Sequence, residues 1–260
     1  MAAEFRIVIP ARHGSARLPG KPLLPLAGRP MIQWVHDCAR DCGALDVVVA
    51  TDDARIAAAA QGFGADVAMT SGGHETGTDR IAEVAAQRGW PADAIVVNLQ
   101  GDEPLMPAAL VRQVAALLAR HASADIATLA GPLAGLEAFL DTNVVKVVTG
   151  AAGRALYFSR APIPWNRDSA TEGFGSQRAF DGARRHIGLY AYRVAALRRL
   201  SGLAPSRLER LEKLEQLRAL EHGMDIRVED AAVMPGPDVN TATDLARVAA
   251  LLGLAPRSEA

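Results

Sequence analysis

Short, unbroken apolar runs, each followed by a helix-patterned stretch, constrain this chain more than any other feature. Arg6 to Ile9, Val47 to Ala50, Asp66 to Met69, Ile95 to Asn98 and Ile126 to Leu129 read as strands. Helices are expected over Pro30 to Cys42, Asp53 to Gln61, Thr78 to Gln87 and Pro107 to His121. Pro30 suits a first helical turn and Gly43 a stop. Met31, Val35, Cys38, Ala39 and Cys42 fall on one face of the first helix. Strands without polar alternation are buried on both sides, which implies a mostly parallel sheet covered by helices. In such sheets ligands gather at the carboxyl ends of the strands.

The pattern changes after Gly135. Asn143 to Val148 alternates around Lys146, Gly150 and Gly153 mark a turn, and Ala155 to Ser159 is apolar again, which reads as an antiparallel hairpin. Lys146, mid-strand between valines, is either a substrate contact or an outward-facing residue. Asn166 to Gly182 is polar and aperiodic and reads as a long mobile loop, either a lid or a dimer arm. His186 to Tyr192 resumes a strand. Ser206 to His222 is helical, with leucines at 208, 211, 214, 217 and 220. A stripe with that spacing drifts by ~60° per step, so the helix either breaks or is enclosed on more than one side. Ile226 to Val228 is a last short strand, Ala242 to Leu252 a closing helix, and the tail from Ala255 is expected to fray.

A chain of 260 residues, 50% hydrophobic, suffices for one large α/β domain. We therefore expect a single domain over 1–260, with 140–192 inserted as a small antiparallel sheet and loop. A net charge of −1 argues against a broad nucleic-acid or membrane-binding surface. No run approaches the ~18 apolar residues of a membrane span, and with a strand so early in the sequence no signal peptide is expected. Cytoplasmic residence is the expectation. Cys38 and Cys42 read as small apolar side chains rather than a disulfide or metal site.

Two loops carry the chemistry. Ala11-Arg12-His13-Gly14-Ser15-Ala16-Arg17-Leu18-Pro19-Gly20-Lys21-Pro22 follows the first strand. Its glycines and cations suit a polyphosphate, although a rigid basic surface loop would look the same. It is not a Walker A loop, because Pro22 stands where a metal-binding hydroxyl belongs. Asn98-Leu99-Gln100-Gly101-Asp102-Glu103-Pro104 follows the fourth strand. Adjacent carboxylates there need a positive partner, such as Mg²⁺, unless they serve as a helix cap. One loop for triphosphate and one for metal on the same sheet edge point to nucleotidyl transfer.

Further motifs extend the pattern: H-x-x-G-T-D-R at 74–80, Y-F-S-R-A-P-I-P-W at 157–165, R-H-I-G-L-Y-A-Y at 185–192 and L-E-x-L-E-Q-L-R at 211–218. With the two loops, the set resembles the 3-deoxy-manno-octulosonate (Kdo) cytidylyltransferase family over roughly residues 5–250. The resemblance implies a Rossmann-like nucleotidyltransferase sheet with a small antiparallel insertion. It implies transfer of CMP from CTP to the anomeric hydroxyl of Kdo, with Mg²⁺ as cofactor, for lipopolysaccharide synthesis. It also implies a homodimer whose interface, like the sugar pocket, involves 140–192.

The residue roles come from the same resemblance. Arg12, Lys21 and Asp102 are the catalytic group, with Arg17 assisting. Ala11, Arg12, Gly14, Ser15, Lys21, His74, Gly77, Thr78 and Arg80 bind nucleotide. Gln100, Arg160, His186, Tyr190, Glu215 and Gln216 bind sugar. Asp102 and Asn240 hold metal. The family carries Asp where this chain has Asn240, and Asp238 stands two positions earlier as a possible replacement charge. The alternatives are a cytidylyltransferase for another acid sugar, a sialic acid or amino-Kdo, and a nucleotide-binding regulator without catalysis.

Overall fold

The first strand sets the frame. β1 (Arg6–Ala11) buries Ile7, Val8 and Ile9 completely, so it runs inside a sheet covered on both faces. In a computed structural model, which describes residues 3–14, 18–170 and 172–254, the chain continues as a two-strand ladder, β2 (Pro25–Leu26) and β3 (Arg29–Pro30). It then alternates through α1 (Met31–Arg40), β4 (Val47–Thr51), α2 (Ala54–Gly62) and β5 (Asp66–Met69). The same rhythm gives α3 (Gly77–Gln87), β6 (Ile95–Asn98), α4 (Ala108–Arg120) and β7 (Ile126–Pro132). Next come α5 (Leu136–Leu140), β8 (Lys146–Thr149), β9 (Ala155–Ser159) and β10 (Arg184–Arg193). The chain closes with α6 (Val194–Ser201), α7 (Arg207–Glu212), α8 (Gln216–Glu221), β11 (Ile226–Asp230) and α9 (Ala242–Leu254). Ser15, Arg17 and the tail from Ala255 lie outside the described residues.

The main sheet has the order β11-β7-β10-β6-β1-β4-β5. β1 pairs in parallel with β4 on one side and β6 on the other, and β4 pairs in parallel with β5. The chain thus builds outward from β1 to β5, then returns to the opposite flank of β1 as β6. That reversal places a topological switch point between β1 and β6, where a crevice opens at the strand ends. One face packs Ile7, Ile9, Val97, Leu99 and Leu129 against apolar residues of α1 and α4. The other packs Val8, Val48, Val96 and Tyr192 against Ile81 and Val84 of α3 and against α6 and α8.

β10 is the element whose placement the sequence leaves open. It enters the main sheet between β6 and β7 and runs antiparallel to both, while Arg184 and Arg185 at its start pair with β8. The β8–β9 hairpin is antiparallel and is fastened to the main sheet at that point. A register shift between Ile187 and Tyr190 interrupts the pairing with β7. The buried Thr128 hydroxyl reaches the carbonyls of Ile187 and Leu189 there, at 3.0 and 2.8 Å.

The leucine stripe of 206–222 resolves as a break. Lys213 takes a left-handed conformation (φ 55°) between α7 and α8, and Leu211 is 69% exposed while Leu217 is fully buried. Lys146 takes neither of its two expected roles. It is fully buried, and its ammonium donates to the carbonyls of Asp141, Val144 and Arg160 at 2.8, 2.6 and 2.7 Å. Those bonds use all the protons the ammonium has. Within 166–182, Gln177 is buried and donates to the Asn166 carbonyl at 3.1 Å, so part of that polar segment is anchored.

Candidate active site

β1 and β6 end side by side, so the loops that follow them must share one crevice. Glycines let them approach closely. A Cβ on Gly101 would lie 3.0 Å from the Pro10 carbonyl oxygen, and one on Gly77 would lie 3.3 Å from the Pro10 ring. Gly20 adopts φ 67°, a left-handed turn that glycine takes without a Cβ clash. The turn delivers Lys21 to the start of a short 3₁₀ helix, Lys21–Leu23, anchored by buried Pro22.

The Lys21 ammonium is the node of the site. It donates to Asp102 Oδ2 at 2.6 Å, to the Val239 carbonyl at 2.9 Å and to Asn240 Oδ1 at 3.4 Å. The basic loop, the acidic turn and the segment before α9 therefore meet at one point. The Val239 backbone N–H donates to the Asp102 carbonyl at 2.9 Å, and its side chain is buried with Leu26, Met31 and Val248. The distant segment is thus clamped onto the acidic turn by both backbone and packing.

Around this node lies a cavity of about 370 Å³, lined by Ala11, Arg12, Lys21, His74, Gly77, Arg80, Gln100, Asp102 and Asn240, among others. Thr76 caps α3 by accepting the Asp79 N–H at 3.1 Å, which fixes the turn carrying Gly77 to Arg80. Arg80 is buried, bonded to the Thr70 hydroxyl and 3.3 Å from Asp52. Arg12 is exposed and reaches the Glu75 carbonyl at 3.4 Å. His74 pairs with Glu83. Gly14 is exposed, and a Cβ there would meet nothing within 4 Å.

The residues expected to hold sugar divide. Gln100 is on the cavity wall. Thr78 donates to Glu215 Oε2 at 2.9 Å, and the Glu215 carboxyl is raised above its usual range by burial. Tyr190 joins this cluster, with its ring 5.3 Å from that of His186 and 5.7 Å from that of Tyr192. Its buried hydroxyl, Glu215 Oε1 and Asn98 Oδ1 have no hydrogen-bond partner among the described residues. His186 bonds Thr128 Oγ1 at 3.0 Å through Nε2. Burial, with a smaller contribution from Arg185, pushes its imidazole down to about 3. Arg160 is braced farther out, its guanidinium donating to the carbonyls of Glu212 and Thr142 at 2.7 and 3.0 Å. Gln216 is buried at the start of α8.

Lys21 and burial resolve the adjacent carboxylates differently. Asp102 has its cation. The Glu103 carboxyl is pushed up to about 8, chiefly by burial and then by Asp102 and Asp238, so it carries a proton near neutrality. The groups that converge on Lys21 are a carboxylate, an amide oxygen and a backbone carbonyl. This all-oxygen set already surrounds one cation and suits a hard divalent ion such as Mg²⁺. Among the described residues no three carboxylate, imidazole or thiol groups cluster as metal ligands. The Val239 carbonyl, an acceptor for Lys21, has no residue-type signature in the sequence.

Residues 6–226 match a family profile described as cytidylyltransferase. A protein of Thioalkalivibrio sulfidiphilus named 3-deoxy-manno-octulosonate cytidylyltransferase is 54% identical over 249 residues, covering 96% of this chain and 99% of that relative. One of the same name from Methylococcus capsulatus is 54% identical over 247 residues, covering 95% and 96%. Among solved structures, CMP:2-keto-3-deoxy-manno-octonic acid synthetase complexed with CTP aligns with a TM-score of 0.86 and 41% identity, covering 96% of this chain and 99% of that one. A cytidylyltransferase from Leptospira borgpetersenii aligns with a TM-score of 0.61 at 16% identity, covering 98% and 88%, which speaks to fold alone.

His186 makes a testable contribution to acid stability. The unfolded chain takes up a proton on this side chain near pH 6.5, whereas the folded protein resists it down to about 3. The unfolded state therefore binds more protons in that window, and stability contributed by neutral His186 is lost as pH falls from about 6.5 towards 3. Thermal midpoints measured from pH 7 to 4 should fall less steeply for His186→Gln than for wild type. Identical slopes would contradict the assignment.

Proposed function

This chain belongs to the 3-deoxy-manno-octulosonate cytidylyltransferase family, and we propose that it transfers CMP from CTP to the anomeric hydroxyl of Kdo. One observation carries this reading: Lys21, Asp102 and Asn240 meet at the switch point of the sheet. The Kdo hydroxyl oxygen bonds to the α-phosphorus, the bond from that phosphorus to the β-phosphate bridging oxygen breaks, and pyrophosphate departs. The hydroxyl proton passes to solvent water as the new phosphodiester forms. No covalent enzyme intermediate is required, so catalysis rests on positioning and charge neutralisation.

Each residue has a proposed part. Arg12 and Lys21 neutralise the triphosphate, with Lys21 facing the departing pyrophosphate. Ala11, Gly14, His74, Gly77, Thr78 and Arg80 surround the nucleotide, with Ser15 expected to do the same and Arg17 to assist Arg12 and Lys21. Asp102 and Asn240 would hold Mg²⁺, which supplies charge to the phosphate oxygens and lowers the pKa of the attacking hydroxyl. Gln100, Arg160, His186, Tyr190, Glu215 and Gln216 bind the sugar acid. The Tyr190 hydroxyl, buried without a hydrogen-bond partner among the described residues, supports this, because a polyol can satisfy it. His186, kept neutral by burial, offers one acceptor or one donor rather than a charge.

Pyrophosphate release from CTP, Kdo and Mg²⁺ tests the reading. Asp102→Ala should cut turnover by at least about a hundredfold with the fold intact, and Lys21→Ala should weaken CTP use. Near wild-type release from Asp102→Ala would contradict the metal assignment. Sialic acid or amino-Kdo turning over faster than Kdo would move the substrate assignment to that sugar.

We also take the chain to be a cytoplasmic homodimer joined through the 140–192 region. Leu156 on edge strand β9 is 62% exposed and Trp165 beyond it 39%, which supports a covered apolar face there. No helix among the described residues is long and apolar enough to cross a membrane. Sedimentation of the chain from a cytosolic fraction should give a mass near twice 27.4 kDa. A monomer, or recovery with membranes, would contradict this.

A further inference from the structure

We propose that Asp238 is a positioning residue, holding the Asn240 amide so that its oxygen faces the cation position beside Asp102 and supplying from behind the charge that an amide lacks. The inference rests on the metal reading given above and concerns how this chain builds that site.

An amide has two chemically different ends, and its neighbours decide which faces where. Asn240 stands between an anion and a cation. Its Nδ2 donates to Asp238 Oδ2 in a short hydrogen bond, and its Oδ1 lies 3.4 Å from the Lys21 ammonium. Turning the amide over would set its NH₂ against an ammonium and its oxygen against a carboxylate, losing both contacts. The backbone is fixed as well. Asp244 Oδ2 accepts the N–H of Asn240 at 3.2 Å and that of Thr241 at 3.0 Å, and the Val239 N–H is bonded to the Asp102 carbonyl. Little is left to vary except the amide's torsion, and Asp238 sets it.

The same hydrogen bond polarises the amide. A carboxylate drawing on the N–H end pushes electron density towards Oδ1, as a carboxylate does for a ligating imidazole. Asp102 and the Asp238–Asn240 pair would then give a cation two negative charges, one direct and one relayed.

Manganese binding to the full-length chain without nucleotide, read from the EPR signal of free Mn²⁺, tests this. Asp238→Ala should weaken Mn²⁺ about tenfold. In an Asn240→Ala background the same change should cost less than about twofold, because a residue that acts through another has nothing left to act on. Asn240→Asp should restore binding in the Asp238→Ala chain. The proposal is overturned if Asp238→Ala has no effect, if its effect is equal in both backgrounds, as for a direct ligand or a diffuse charge, or if Asn240→Asp fails to rescue. Asp102→Ala separates the two levels. If it leaves Mn²⁺ binding unchanged, the metal reading falls and the proposal with it; if it abolishes binding while Asp238→Ala does not weaken it, only the proposal falls.

Discussion

The Lys21–Asp102 pair, 2.6 Å apart with side chains 15% and 27% exposed, is the contact on which the rest of the site depends. An exposed pair of this kind contributes ~0–1 kcal/mol. A fully buried one, broken from one side, costs ~3–5 kcal/mol. This pair lies between those limits, so its importance is not chiefly one of stability. It marks where three segments far apart in sequence are forced together, and it leaves a carboxylate and an ammonium facing one cavity. A triphosphate offers the ammonium a richer anionic partner, and a divalent ion offers the carboxylate a stronger cation.

The sheet topology makes this meeting unavoidable. Because β1 pairs with β4 on one side and β6 on the other, the loops after β1 and β6 cannot diverge without breaking the ladder. Gly101 and Gly77 then let both neighbouring turns close on Pro10 to near van der Waals contact. Polar groups one layer away, Thr78 with Glu215 and His186 with Thr128, are held by α3, α8 and the irregular stretch of β10. The site therefore rests on rigid elements at its centre and, next to them, on the irregular backbone of β10.

Sequence pattern locates β5, β6 and β9 at the same residues as the structure, because short apolar runs bounded by turn residues leave little choice. It places Lys21 and Asp102 on one edge for the same reason. It does not place β10, because an apolar run looks alike whether it joins a hairpin or enters the centre of a sheet. Nor does it find α6, which follows β10 with no turn between them. The break at Lys213 announces itself as a leucine period that no regular helix can bury, but its position depends on a left-handed residue that is not glycine. Lys146 defeats residue-type reasoning. A charged side chain among valines suggests a ligand or a surface, and here it fastens three carbonyls. The protonated state of Glu103 is likewise invisible in sequence, since it comes from burial and two neighbouring carboxylates.

Isothermal titration of CTP with and without Mg²⁺ tests most directly whether the two loops act as one cluster around a metal-bound triphosphate. In wild type, Mg²⁺ should tighten CTP binding; in Asp102→Asn that tightening should vanish while metal-free binding persists; in Lys21→Met binding should weaken under both conditions. An Mg²⁺ effect on CTP binding as large in Asp102→Asn as in wild type would contradict the account.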